Sequence, residues 1–150
     1  MPKQFRMDKL ELPNVLAMAP KMRSKVLRQG ARVVAVRTRD IVPVRSGRLR
    51  KAITYSVSRG GIEAKIRAPK APHAHLVHDG TRRHTIHAKS RQSARAGWRF
   101  YHGSVATKVK HPGARQNQFF VKAGEDSRGD MERVMRDTAR EVIAEVAAGR

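Results

Sequence analysis

The sequence predicts an α+β fold, with a long N-terminal helix and a C-terminal helix packed on a small antiparallel β-sheet that carries an extended β-flap. Apolar residues recur at helical spacing near both ends of the chain. Between these segments lie two short runs in which apolar and polar residues alternate, separated by a Gly-Gly turn signal. The length of 150 residues is that of one domain, so residues 1–150 are expected to form a single unit.

The N-terminal part predicts an extended arm and then a long amphipathic helix. The arm comprises residues 1–13, which end in a proline. Over residues 14–41, apolar side chains recur every three or four positions, and lysines and arginines fill the opposite face. Pro20 suits the first turn of a helix that begins near Ala19, and the helix is expected to end before Pro43.

A β-hairpin is predicted after this helix. "PVRSGRL" at Pro43–Leu49 is a turn by its proline, serine and glycine. Residues Leu49–Ser58 alternate and are rich in β-branched side chains, which predicts a strand, although Lys51 lies on its apolar side. "RGG" at Arg59–Gly61 is a hairpin signal, and Ile62–Ala68 alternate more cleanly as the second strand.

The second half of the chain predicts the flap and the C-terminal helix. Residues 80–118 are polar, basic and rich in turns, and the runs "HTIHA", "WRFYH" and "SVATKVKH" have the composition of short flap strands. Helical spacing returns at Phe119 and continues over residues 128–149. A break near Gly129 is expected to separate a short helix from the C-terminal one.

Charge is the most unusual property of the chain, which has 33 basic and 12 acidic residues and a net charge of +21. Residues 1–50 hold 13 basic and 3 acidic side chains, and residues 51–100 hold 11 and 2, an excess of +19. Such a surface repels itself unless an anion or an acidic neighbour is close. Nucleic acid and an acidic protein are the expected partners, and a solvated basic face that only maintains solubility is the alternative.

Composition excludes several classes of protein. The chain has no cysteine, which excludes disulfides, thiolate zinc sites and cysteine nucleophiles. No stretch approaches the roughly 20 apolar residues of a membrane span, so no membrane contact is expected. The N-terminus also lacks the apolar core of a signal peptide.

Five of the seven histidines lie in "HAHLVHDGTRRHTIHA", residues 73–88. If this segment is a strand, His73 and His75 point to one face, and His84 or His87 from a neighbouring strand could complete a zinc site. An H-x-H pair without a cysteine is a weak metal signal. Half-buried strand or interface histidines are the favoured interpretation, so no metal and no cofactor is expected.

Catalysis is not expected either. A magnesium-dependent nuclease needs clustered carboxylates, but the acidic residues lie mainly on the C-terminal helix, where they alternate with arginines as on a solvated face. Ser46 lies in a turn between arginines, and no G-x-S-x-G motif is present. Aromatic residues are few, so any contact with nucleic acid is expected to be electrostatic and independent of sequence.

Four segments occur together in the order found in one known family. A long helix leads into "IVPVRSGRLRKAI", followed by "HAHLVHDGTRRHTI" with Gly80-Thr81, and then by "WRFYHGSVATKVKHPGARQNQFFVKA" with His111-Pro112-Gly113. Together they resemble the minor virion proteins at the neck of long-tailed bacteriophages, known as tail-component, tail-completion or head–tail connector proteins. The resemblance covers residues 14–124, with His75 and Gln118 at positions where the family often has tyrosine and proline.

The resemblance implies a non-enzymatic virion protein, made in the bacterial cytoplasm, that forms a ring of six copies at the head–tail junction around the DNA channel. Its partners would be other copies of itself, the adjacent head-completion or stopper protein, and the tail-terminator or tail-tube protein, with nonspecific contact to viral DNA. The histidine segment would be a strand and turn that places the flap against a neighbouring subunit. Candidate interface or channel residues are Arg45, Arg48, Arg50, Asp79, Gly80, Thr81, Arg82, Arg83, His111 and Phe119.

Two alternative functions are compatible with the same residues. A free, sequence-independent nucleic-acid-binding protein would share the basic charge and would need no virion. A small metal enzyme would use His73, His75 and either His84 or His87 as ligands.

Overall fold

The computed structural model describes residues 5–6, 18–87 and 108–149. In these residues, helices and two small antiparallel sheets form the predicted α+β arrangement. In chain order the elements are β1 (Phe5–Arg6), α1 (Pro20–Ile41), α2 (Arg48–Ala52), β2 (Thr54–Val57), β3 (Ala64–Arg67), α3 (Ala74–Asp79), β4 (His84–His87), β5 (Lys108–His111), α4 (Phe119–Asp126) and α5 (Arg128–Ala147).

Helix α1 has the bounds that its flanking prolines predict. Pro20 occupies the first turn, where its missing N–H costs no hydrogen bond, and the helix ends two residues before Pro43. One side of α1 packs on β2 and β3, and another side packs on α4 and α5. The C-terminal helix therefore reaches the sheet through α1, which is the middle layer of the molecule.

The predicted hairpin is present, and a strand of the N-terminal arm extends it. β2 pairs with β3 in antiparallel register, with Tyr55 opposite Ile66, and β1 pairs with the other edge of β3. At Gly61 φ is +63°, and a Cβ there would lie 2.6 Å from the backbone nitrogen of Ser24. The hairpin turn thus lies directly against the start of α1.

The core lies between α1, the three-stranded sheet and α4–α5. Its largest fully buried side chains are Val26, Val34, Ile53, Ile66, Phe119 and Met135. Two ion pairs join α1 to the C-terminal helices at the surface. Lys25 Nζ lies 2.9 Å from Glu145 Oε2, and Arg37 Nη2 lies 2.9 Å from Asp126 Oδ2.

Two segments predicted as strands are helical. Leu49–Ala52 belong to α2. The helix buries Leu49 and Ala52 on one side and leaves Lys51 exposed, whereas a strand would place Lys51 on the same face as Leu49. Ala74–Asp79 form α3, in which Ala74 and His78, four residues apart, are both buried. In each segment the two buried residues are three or four positions apart, as on one side of a helix, and not two positions apart as on one face of a strand.

The C-terminal helices are separated at Ser127 rather than at Gly129. The Ser127 hydroxyl donates a hydrogen bond of 2.6 Å to the Ala123 carbonyl, and Gly129 lies inside the first turn of α5. Helix α5 ends at Ala147, two residues before the predicted boundary. Within the described ranges, no helix is long and apolar enough to cross a membrane.

Strands β4 and β5 form a two-stranded ribbon within the predicted flap. The ribbon has antiparallel register, with His84 opposite His111. Each strand contacts mainly the other, and neither packs extensively on another described element. The predicted strand "WRFYH" lies outside the described residues.

Candidate interaction site at the base of the flap

The segments that enter and leave the flap are joined by a β-bridge between Thr81 and Ala114. The Thr81 N–H donates a 2.9 Å hydrogen bond to the Ala114 carbonyl, and the Ala114 N–H donates a 3.0 Å bond to the Thr81 carbonyl. We call residues 79–83 and 111–116 the flap base. The structure thereby brings Asp79–Arg83 together with the His-Pro-Gly segment.

Two glycines allow the two segments to approach this closely. Gly80 has φ of +71°, and a Cβ there would lie 2.6 Å from the Ala114 carbonyl oxygen. Gly113 has φ of +90°, and a Cβ there would collide with the Thr81 carbonyl oxygen. Both positions need the left-handed backbone that glycine adopts without strain, and neither has room for a side chain.

His78 anchors the flap base to the core. Its side chain is buried, and its Nδ1–H donates a 2.9 Å hydrogen bond to the Asp79 carboxylate. Its ring packs edge-on against Phe119, with the ring centres 5.3 Å apart, and also contacts Phe120. The His78 carbonyl accepts hydrogen bonds from the N–H groups of Asn117 and Gln118, so α3 holds the chain where α4 begins.

Sequence reasoning misses this role of His78 and misjudges that of Phe119. The sequence places Phe119 at an interface or channel, but its side chain is fully buried against His78 and Phe120. The four-residue spacing of Ala74 and His78 is the available signal for a buried histidine on a helix. Asp79 orients the His78 ring from one side, so it takes part in the same anchor.

The candidate arginines fall into two separate groups. Arg82 and Arg83 are exposed in the flap base, and in the described part of the chain neither forms an ion pair. The other three, Arg45, Arg48 and Arg50, lie in the loop after α1 and in α2, and all three are exposed. Helix α2 packs on α1, and Arg50 Nη2 lies 3.7 Å from Asp40 Oδ1. The structure therefore does not join this second group to the flap base.

The histidine segment does not have the geometry that the zinc hypothesis requires. His73 and His75 lie at the start of α3 and are exposed, rather than facing one way from a strand. His84 stacks near His111, with ring centres 5.0 Å apart. The described residues contain no group of three or more histidine, cysteine, aspartate or glutamate side chains that could hold a metal ion.

The two ribbon histidines instead form hydrogen bonds with the backbone beside them. His84 Nδ1–H donates to the Arg82 carbonyl at 2.8 Å, and His111 Nδ1 accepts from the Gly113 N–H at 3.1 Å. An accepting Nδ1 places the proton of a neutral His111 on Nε2. These bonds fix the backbone on both sides of the bridge, next to Arg82 and Gly113.

Comparison with protein families gives a match over the N-terminal part of the chain. Residues 7–80 match the family described as "Bacteriophage HK97-gp10, putative tail-component". Over these residues the chain is similar to the HK97-gp10-like family. The match confirms the resemblance to phage tail components that the sequence motifs indicate. No curated protein and no solved structure matches the chain.

The HK97-gp10-like region, residues 7–80, ends between two elements of the fold. It contains α1, α2, the β2–β3 hairpin and α3, and it ends at Gly80. The flap and helices α4 and α5 follow it in the chain. The flap base thus lies where the family region ends and the flap begins.

The Thr81 hydroxyl offers a test of how the flap base is packed. Its Oγ1 is buried and has no hydrogen-bond partner within the described ranges. Thr81→Val keeps the shape and removes this unpaired group, so we expect the free energy of unfolding to rise by about 1 kcal/mol. Urea unfolding monitored by circular dichroism measures the change. A loss of stability would show that the hydroxyl is paired in solution.

Proposed function

We propose that this protein is a structural, non-catalytic virion component of a tailed phage that forms a homo-oligomeric ring, most simply a hexamer, at the head–tail junction around the DNA channel. Residues 1–150 act as one unit in this ring. Adjacent head-completion and tail-terminator or tail-tube proteins contact its two faces. The observation that carries the proposal is the HK97-gp10-like region over residues 7–80.

The projecting ribbon supports assembly into a ring. A ring needs a heterologous interface, in which one surface of a subunit meets a different surface of the next. Strands β4 and β5 contact mainly each other, so the ribbon presents its surface away from the core. A ribbon of this kind is suited to pack on a neighbouring copy. The bridge between Thr81 and Ala114 fixes the position at which the ribbon leaves the core.

The charge of the flap base supports contact with an acidic surface. Arg82 and Arg83 are exposed beside the bridge, and no carboxylate of the described residues pairs with them. Helix α5 carries exposed acidic residues, including Glu141. Such residues on a neighbouring copy, or an acidic adjacent protein, would complement the two arginines.

Reversing these two charges tests the interface. We expect Arg82→Glu/Arg83→Glu to lower the joining of heads to tails by at least about tenfold, because like-charge contacts across an interface cost several kcal/mol. The measurement is complementation of an extract that lacks the protein, scored as infectious particles. Lys70→Glu/Lys122→Glu is the matched control, since both lysines are exposed, lie outside the flap base, and give the same change in charge.

The two double variants should have the same circular dichroism spectrum as the unchanged protein, because all four side chains are exposed. Normal joining by the Arg82/Arg83 variant would contradict the role given to the flap base. Antibody labelling of particles by electron microscopy tests the location separately. Label confined to the head–tail junction supports the proposal, and label absent from particles contradicts it.

A further inference from the structure

Helix α1 exposes a line of four positive charges that the candidate site does not include. Lys21, Lys25, Arg28 and Arg32 follow one another at intervals of four, three and four residues, and all four are exposed. At 3.6 residues per turn, this spacing places them within a sector of about 60° on one side of the helix. We call these residues the basic stripe, which extends for about 16 Å along α1.

The basic stripe is electrostatically unfavourable in the isolated chain. Like charges three or four residues apart on a helix repel each other, and a cation in the first turn, such as Lys21, also opposes the helix dipole. The first turn of α1 contains no acidic residue. Of the four cations, only Lys25 has a carboxylate partner in the described part of the chain, namely Glu145.

Other cations of the same chain do have partners. On α5, Arg128 pairs with Glu132, Arg133 with Asp130, and Arg140 lies near Asp137. On α1 itself, Arg37 pairs with Asp126, and the Arg39 guanidinium donates to the Ile53 carbonyl. Within the described ranges Lys21, Arg28 and Arg32 have no such partner, a property that they share with Arg82 and Arg83. No carboxylate of the described residues offsets these three charges, and an external anion would do so.

The shape and composition of the stripe favour duplex DNA as that anion. Protein interfaces are anchored by tryptophan, tyrosine and arginine in desolvated pockets, and single-stranded nucleic acid by stacking on aromatic rings, but the stripe is exposed along its length and contains no aromatic residue. Insertion into a lipid surface needs an exposed apolar face, whereas α1 buries most of its apolar residues against the sheet and the C-terminal helices, with Val36 as the exposed exception. Regularly spaced cations without other chemistry match the phosphate backbone.

We propose that the basic stripe of α1 binds the phosphate backbone of duplex DNA, independently of base sequence. This inference goes beyond the ring proposal, because it concerns one surface of a single chain and residues outside the flap base. In a ring it would place α1 beside the DNA channel. A failure of the ring proposal would leave the binding measured below unchanged.

Salt-dependent DNA binding by the purified full-length chain tests the proposal. The variant is Lys21→Gln/Arg28→Gln/Arg32→Gln, which spares the Lys25–Glu145 pair. The matched control is Arg128→Gln/Arg133→Gln/Arg140→Gln, which lowers the net charge equally but on α5. The probe is a fluorescent duplex of mixed sequence, and anisotropy gives Kd over a series of KCl concentrations.

We expect the stripe variant to bind the duplex at least about tenfold more weakly than the unchanged protein. The slope of log K against log salt should fall in magnitude by roughly 2 to 3, because each phosphate contact contributes about 0.9 to this slope. The α5 control should keep the slope of the unchanged protein, because its three arginines already pair with carboxylates. A control that binds more tightly than the stripe variant supports the proposal. An equal or greater loss of affinity in the control overturns it.

Two companion measurements distinguish DNA binding from misfolding and from a general affinity for anions. The thermal midpoint of the stripe variant should rise, because repulsion along α1 is removed, so weaker binding cannot be attributed to unfolding. Phosphatidylglycerol vesicles and polyglutamate replace the duplex in parallel titrations at equal charge concentration. Tighter binding of either probe than of the duplex would overturn the assignment to DNA.

Discussion

Gly80→Ala is expected to lower the free energy of unfolding by at least about 2 kcal/mol, because two separate costs coincide at this position. Gly80 has φ of +71° and ψ of −178°, a region in which residues other than glycine are strained by about 1 to 3 kcal/mol. An alanine Cβ would also lie 2.6 Å from the Ala114 carbonyl oxygen and 2.8 Å from the Gln116 nitrogen. Both are backbone atoms, so no side-chain rotation relieves the contact.

Gly47→Ala is the matched control for this prediction. Gly47 has nearly the same φ, +72°, but no atom lies within 4 Å of the position that a Cβ would take. Gly47→Ala should therefore lower the free energy of unfolding only through the strained backbone conformation, by about 1 to 2 kcal/mol. Urea unfolding of both variants measures the difference, and hydrogen exchange at Thr81 and Ala114 should accelerate only in Gly80→Ala. Equal stability of the two variants would show that the bridge does not hold the flap base closed.

Gly30→Val is expected to destabilise the contact between α1 and α5 by about 2 to 3 kcal/mol through overpacking. A Cβ at Gly30 would lie 2.5 Å from Met135 Sδ and 3.2 Å from Met131 Cγ. The Met135 side chain could move to admit one methyl group, and alanine would also gain helix propensity, so Gly30→Ala is a weaker test. Valine adds two further methyl groups in a space already occupied by two buried methionines.

The experiment compares Gly30→Val with Gly129→Val, which introduces the same side chain at a helical glycine with no atom within 4 Å of the added Cβ. The control should be close to neutral, since valine is a slightly better helix former than glycine. Adding Met135→Ala to Gly30→Val should cost less than the sum of the two single changes, by about 0.5 to 3 kcal/mol. Strict additivity in urea unfolding would contradict the contact.

The sequence predicts the long elements of the fold well and the short ones poorly. Two prolines delimit α1 and its periodicity continues over all 22 residues, so its bounds follow from local rules. Helices α2 and α3 have five and six residues, too few for helical spacing to be distinguished from alternation. Their identity depends on which side chains the core buries, and that is decided by tertiary packing rather than by propensity.

The sequence identifies the motifs of the candidate site, but it does not predict that they lie together in the fold. Gly80-Thr81 and His111-Pro112-Gly113 are both recognisable in the sequence as turn segments, and the structure joins them through a bridge between residues far apart in the chain. The buried position of Phe119 is not predictable, because an aromatic residue beside a turn is compatible with both an interface and a core. His78 shows the same limit, since its burial depends on α3 meeting α4.

The bridge between Thr81 and Ala114 has a consequence for the length of the flap. The 32 residues between these positions begin and end at one pair of hydrogen bonds. The entropy lost on closing such a loop rises only slowly with its length, by roughly 0.6 kcal/mol for each doubling. Insertions or deletions beyond the bridge would thus leave the stability of the core nearly unchanged. The number of residues in the flap can therefore change without a change in the fold that holds it.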